Sequence, residues 1–166
     1  MITFVFMQRL SVVIFVMMAV ASCRHFVSPY QKDRERVKEL VDTFFAAVNR
    51  SDLPKVLSLY EQDAELFPPG RSAISGKAAI DNSYRQLFLN AQPMITNTIT
   101  EITVGDLWAV VTGNNTGTAK QLRDSTSTTT NVYNKYMILI QKRESGWMIR
   151  KMIWNSNLSK SSSELF

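Results

Sequence analysis

Cys23 is the only thiol in the chain, and what surrounds it narrows its chemistry. A lone cysteine can serve as nucleophile, metal ligand or acceptor of a covalent group. It cannot close an intrachain disulfide, so an oxidising compartment neither helps nor harms this fold. The single histidine, His25, follows two residues later, and a metal cluster or a histidine-based triad would need further ligands that the chain does not offer. Gly70 to Ala78 approaches the spacing of a phosphate-cradling loop. It has one residue too many between Gly70 and Gly76, and Ala78 stands where a magnesium-binding hydroxyl belongs. The segment reads as a loop leading into a helix. No dinucleotide-binding glycine fingerprint occurs, so no cofactor and no metal are expected.

The residues before Cys23 give it a different role. Arg9, an apolar run from Leu10 to Val20 and the small residues Ala21 and Ser22 make the three-part pattern of an export signal. Val20-Ala21-Ser22-Cys23 resembles a bacterial lipobox. That resemblance implies a Cys23 thiol carrying diacylglycerol, with cleavage at its amino side. Acyl chains worth about 0.8 kcal/mol per buried methylene would hold the product on a membrane. Arg24, where some lineages place an inner-membrane retention aspartate, favours the periplasmic face of the outer membrane. Ala19-Val20-Ala21 also fits ordinary signal cleavage, which would release a soluble protein with one free thiol. The apolar run is about a dozen residues, short of the roughly twenty that span a bilayer. The expected organisation is a signal peptide at 1–22, an anchor and linker at 23–32, one domain at 33–157 and a disordered serine-rich tail at 158–166.

About 144 residues remain without the signal, enough for one domain with a proper core. The chain has 19 basic and 14 acidic side chains. Lys32, Arg34, Arg36 and Lys38 alternate with Asp33, Glu35 and Glu39, which describes a solvated helix face rather than a nucleic-acid footprint. No nucleic-acid partner is expected.

The first half is helical. Val37, Leu40, Val41, Phe44, Phe45 and Val48 recur at steps of three and four, predicting an amphipathic helix from Asp33 to Asn49. Ser51 or Asp52 caps a short second helix that tolerates Pro54 and buries Val56, Leu57 and Tyr60. Ala64 to Phe67 is extended, Pro68-Pro69-Gly70 ends it, and Lys77 to Asn90 forms a third helix capped by Ser75 or Gly76. From Met94 the pattern turns β-branched. Strands are predicted at Ile95–Val104, Leu107–Gln121, Thr126–Gln141 and Trp147–Asn155, in one antiparallel meander. The last two carry apolar residues on both faces, Ile149 and Ile153 against Met152 and Trp154, so both faces need cover. Helices cover one, leaving the other for a second subunit in a homodimer or for the membrane side.

Phe44 to Leu53, Leu59 to Ala64, Gly76-Lys77-Ala78-Ala79-Ile80 and the closing Gly146-Trp147 to Trp154-Asn155 resemble, in order and spacing, the SnoaL-like branch of the nuclear-transport-factor-2-like superfamily. The resemblance covers Val37 to Asn155. It implies an α+β cone in which three N-terminal helices pack on a curved antiparallel sheet around an apolar pocket. Members include isomerases, cyclases, dehydratases and proteins that only bind or pair.

Residue by residue, the resemblance places the carboxylate base of the steroid isomerases at Pro68, their oxyanion tyrosine at Phe44 and their protonated aspartic acid at Asn134. The first two cannot do that chemistry, and Asn134 retains only hydrogen bonding. An isomerase or hydrolase would need Asp63 or Glu65 as a replacement base working with Asn134. The resemblance further implies a pocket lined by Phe44, Tyr60, Tyr84, Phe88, Asn134, Tyr136, Met152 and Trp154, with Arg150 at its mouth facing an anionic ligand or Glu65. These aromatics also suit plain core filling. The function expected is binding of a small apolar or amphipathic molecule, with assembly as a dimer as the other non-enzymatic role.

Overall fold

The computed structural model describes residues 28–122 and 128–157. The proposed export signal with Cys23, and the tail from 158, lie outside the described residues. The chain divides into two compact units, Met1–Lys32 and Asp33–Phe166. Of the first, the described residues Ser28–Lys32 open helix α1, Pro29–Asn49. The Gln31 N–H donates to Ser28 Oγ at 3.2 Å, which makes Ser28 a cap, and Pro29 fits the first helical position because no N–H is needed there. The helix therefore begins at Pro29 rather than Asp33, and part of the expected linker is helical.

In the second unit, α1 buries the predicted stripe from Val37 to Val48, with Ala47 beside it. Its last residue, Asn49, acts like a strand residue. The side chain donates to the Ile95 carbonyl and accepts from the Ile95 N–H, both at 2.8 Å. After a turn at Ser51, whose φ is 54°, Asp52 accepts from the Lys55 N–H at 3.0 Å and caps α2, Leu53–Ser58. Tyr60, expected on this helix, instead starts strand β1, Tyr60–Phe67. The reason lies far away in sequence: the Ile149 N–H donates to the Leu59 carbonyl at 2.8 Å, and the chain continues as a strand beside that partner.

Gly70, with φ of 67°, lets the chain turn back after the two prolines into β2, Ile74–Ser75. Helix α3 spans Lys77–Asn90 as predicted, and is followed by β3 (Ala91–Val104), β4 (Trp108–Gln121), β5 (Thr129–Arg143) and β6 (Gly146–Ser156). The strand order is β2-β1-β6-β5-β4-β3. The expected meander is present as β3 to β6, but the sheet has six strands and β1 joins β6 in parallel. The architecture is α+β, with the helices packed on one face of a curved, unclosed sheet.

Two bulges set which residues face the helices. Pairing of β5 with β6 slips between Leu139 and Ile140, whose partners are Lys151 and Ile149, so Arg150 is the extra residue. Strict alternation would have put Ile149 and Met152 on opposite faces; the bulge turns both inward, and Ile153 outward at 43% exposure. Arg150 is thereby taken from the expected cavity mouth. It pairs with Asp63 at 2.6 Å and lies 3.6 Å from Glu61, while Glu65 pairs with Lys151 at 2.5 Å. A second slip between Ile99 and Glu101 brings Ile102 and Val104 inward.

Val37, Val41, Val111, Ile138, Ile140 and Ile149 are fully shielded from solvent. Each such side chain contributes about 1.5–3 kcal/mol on burial. The start of α1 in this unit is fixed to the sheet by Asp33, which accepts from Lys142 Nζ at 2.6 Å and from Trp147 Nε1 at 3.2 Å.

Candidate functional site

The inner face of the sheet is not filled along its whole length. Where β4 and β5 carry Val111, Ile138 and Ile140, the space under α1 is solid. Farther along the same strands the inward residues are Asn115, Gly117, Ala119, Val132 and Asn134, and a cavity of about 730 Å³ opens there. Its other walls are Phe44, Phe45 and Val48 from α1, Tyr84 and Leu87 from α3, and Met152 and Trp154 from β6. Pro68, Pro69 and Arg71, in the turn between β1 and β2, complete the lining on another side. The volume suits a drug-sized molecule.

Two glycines shape this wall. A Cβ at Gly117, whose φ is 147°, would lie 2.0 Å from the Met94 carbonyl oxygen, so the close approach of β3 requires glycine there. A Cβ at Gly113 would lie 2.3 Å from Tyr136 Oη. The missing side chain lets the Tyr136 phenol cross β4 and donate to Asn97 Oδ1 on β3 at 2.8 Å.

The lining includes no carboxylate, histidine, cysteine or lysine among the described residues, and Arg71 is its one formal charge. Tyr84 is the remaining titratable group, and burial pushes its phenol well above the usual value, so it stays protonated. Its hydroxyl lies 3.0 Å from that of Tyr60, which in turn donates to Met152 Sδ at 3.7 Å. Tyr60 has one proton and the thioether can only accept, so Tyr84 donates to Tyr60. Burial also raises Tyr60, and Tyr136 is pushed up to about 12 mainly by burial.

Asn115 is the buried polar side chain of the described lining. It is 5% exposed, its Oδ1 has no hydrogen-bond partner among the described residues, and it sits directly opposite Asn134 across β4 and β5. Leaving such a group unpaired costs about 1–3 kcal/mol.

Of the residues singled out from sequence, Phe44, Tyr84, Asn134, Met152 and Trp154 line the cavity. Tyr60, Phe88 and Tyr136 do not. Tyr60 is fully buried against Tyr84, Phe88 packs on Tyr84 with centroids 5.8 Å apart, and Tyr136 is turned toward Asn97. Phe44, Pro68 and Asn134, the three positions at which the resemblance placed isomerase machinery, all face the cavity. Asp63 and Glu65 do not line it. Their ion pairs with Arg150 and Lys151 hold them away, so neither is brought together with Asn134 as a base. Asn115 was missed, although the inward alternation of Ala109, Val111 and Gly113 leads to it and its opposition to Asn134 follows once β4 and β5 are paired.

The family comparison agrees with this geometry. Residues 41–146 match the SnoaL-like domain. Among solved structures, a ketosteroid isomerase-like protein from Erwinia carotovora atroseptica superposes with a TM-score of 0.71 at 23% identity, covering 78% of this chain and 100% of that one. A member of the nuclear-transport-factor-2-like family from Streptomyces avermitilis gives 0.68 at 18% identity, covering 78% and 99%. A nuclear-transport-factor-2-like protein of unknown function from Shewanella oneidensis gives 0.58 at 22%, covering 72% and 96%. At these identities the likeness is one of fold. No curated protein matches the chain. The match to the family runs over most of the sequence, from the middle of α1 to the start of β6, and on that ground the chain belongs to the SnoaL-like domain family.

Proposed function

We propose that this SnoaL-like domain binds a small apolar or amphipathic molecule in its cavity, and that lipidated Cys23 holds it on the periplasmic face of the outer membrane. The observation that carries the binding reading is a cavity of about 730 Å³ walled by Phe44, Phe45, Tyr84 and Trp154, with no carboxylate, histidine, cysteine or lysine in its lining among the described residues. Binding sites for apolar molecules combine such walls with a few polar groups that fix orientation. Proton abstraction needs a base within reach of the substrate, and the described lining supplies none. The anchor rests on the sequence pattern ending at Cys23. No described helix is long and apolar enough to cross a membrane.

Native mass spectrometry of residues 24–166, purified without detergent, tests the binding role. A mass increment lost on denaturation is the expected result; bare protein after incubation with envelope lipid extract overturns it. Metabolic labelling of the full chain with a radioactive fatty acid tests the anchor, with label retained in wild type and lost in Cys23→Ser.

A second role, compatible with the first, is assembly as a homodimer through the outer sheet face. Its support is an apolar set on neighbouring strands, Trp108, Met137 and Ile153, left 42%, 48% and 43% exposed. Sedimentation of wild type and Met137→Lys checks it: a dimer that the lysine breaks supports the pairing, and a monomer in both removes it.

A further inference from the structure

We infer that the cavity selects ligands presenting a neutral hydrogen-bond donor, an alcohol or phenol on an apolar body, which seats on Asn115. This inference rests on the binding role proposed above. Asn115 faces inward on β4, 5% exposed, in the wall of the cavity, and its Oδ1 has no hydrogen-bond partner among the described residues. Core filling alone gives no reason for an amide there, since Val111, on the same face of the same strand, meets solid packing with an aliphatic side chain. A buried carbonyl oxygen without a donor is a site waiting for one.

The surrounding chemistry specifies the partner further. Asn134, opposite Asn115 on β5, also opens onto the cavity, so two neutral amides stand side by side on the sheet wall, while Ser83, Gln86, Asn90 and Gln121 are further neutral polar side chains of the lining. The Tyr84 proton is committed to Tyr60 and the Tyr60 proton to Met152, which leaves the Tyr84 oxygen as an acceptor. A carboxylate at Asn115 would face the Oδ1 lone pairs with no cation beside it, because Arg71, the one charge of the lining among the described residues, lies exposed in the turn between β1 and β2. A hydroxyl supplies the missing donor and brings no charge to desolvate.

Equilibrium dialysis of the full chain against 2-naphthol, 2-methylnaphthalene and 2-naphthoate tests this. The three probes share one ring system and differ in the polar group alone. The expected result is 2-naphthol binding about tenfold more tightly than 2-methylnaphthalene, with 2-naphthoate weakest. Non-specific partition into apolar segments favours the hydrocarbon, so this preference runs against the main artefact. Asn115→Leu should bring 2-naphthol down to the level of the hydrocarbon and leave the hydrocarbon unchanged. Equal binding of naphthol and hydrocarbon by wild type, tighter binding of naphthoate, or a preference that survives Asn115→Leu overturns the donor rule while the cavity's binding role stands. Binding of none of the three overturns the binding role itself, and the inference falls with it. The wild-type comparison needs no variant, so poor folding of Asn115→Leu cannot mask the answer.

Discussion

Strands β4 and β5 pass through two different environments, and the contrast explains how one sheet provides both a core and a cavity. At the end nearest the β4–β3 and β5–β6 turns, Ala109, Val111, Ile138 and Ile140 are 0–1% exposed and pack under α1 beside Val37 and Val41. At the other end the inward positions hold Asn115, Gly117, Ala119, Val132 and Asn134, and the wall stands open. The Gly113–Tyr136 pair, with the phenol reaching Asn97, sits between the two regions. Backbone pairing is continuous through both. The difference therefore lies in the inward side chains, bulky and aliphatic at the filled end and small or polar at the hollow one.

The largest expected effect tests the solid half. Ile138→Ala should destabilise the protein by about 2–5 kcal/mol, because the side chain is fully buried and its neighbours can close the void only in part. Val132→Ala, on the same strand but at the cavity, should lose under about 1 kcal/mol, since there is already space around it. Urea denaturation of both variants checks the pair. Equal losses would mean that the cavity end is packed as tightly as the core, and the contrast would be gone.

Next comes the boundary. Gly113→Ala puts a methyl 2.3 Å from Tyr136 Oη and 2.6 Å from the backbone oxygen of Thr98, and the second contact cannot be relieved by turning a side chain. A loss of about 1–3 kcal/mol is expected in the same denaturation assay. An unaffected midpoint would show that the strands can separate there without penalty. A third change should leave stability nearly alone and act on binding. Ala119→Leu adds volume inside the cavity. It should shift the urea midpoint little and weaken binding of 2-naphthol at least tenfold by roughly the reasoning that one occupied methylene-sized volume excludes the ligand; unchanged affinity would place the ligand elsewhere.

How far the sequence revealed this division depends on the element. The stripe of α1 and the whole of α3 were legible because local periodicity decides them, and the meander was legible through its runs of β-branched residues. Of the two further strands, only the end of β1 was legible, as the extended segment Ala64 to Phe67; its start at Tyr60, its pairing and β2 were not. β1 exists as a strand because Leu59 and its successors meet β6 nearly a hundred residues later, and β2 is two residues long. The bulge at Arg150 was equally hidden, since it breaks the alternation that identifies a face. That one residue removed Arg150 from the site. In the cavity itself, aromatics such as Phe44 and Trp154 were legible through the family resemblance. Asn115 was not, because its meaning depends on what stands across from it.

The smallest expected effect concerns the anchor of the solid half. The Lys142 ammonium, hydrogen-bonded to Asp33, holds that carboxyl below its ordinary 3.8, with Trp147 Nε1 adding to the effect against the opposing cost of burial. As pH falls, the unfolded chain takes up this proton before the folded one. The contribution is therefore full above about pH 4 and is lost as pH drops through the lowered folded value. Asp33→Asn should shift the urea midpoint modestly at pH 7 and make it fall less steeply from about pH 5 to pH 2 than in wild type. Some slope remains in the variant, because Lys151 lowers Glu65 in the same direction. At the cavity end the described lining has no carboxylate to titrate, so acid should loosen the α1 anchor and the β1–β6 seam while naphthol binding persists for as long as the protein is folded. Loss of binding well above the unfolding pH would show that the hollow half depends on ionised carboxylates after all.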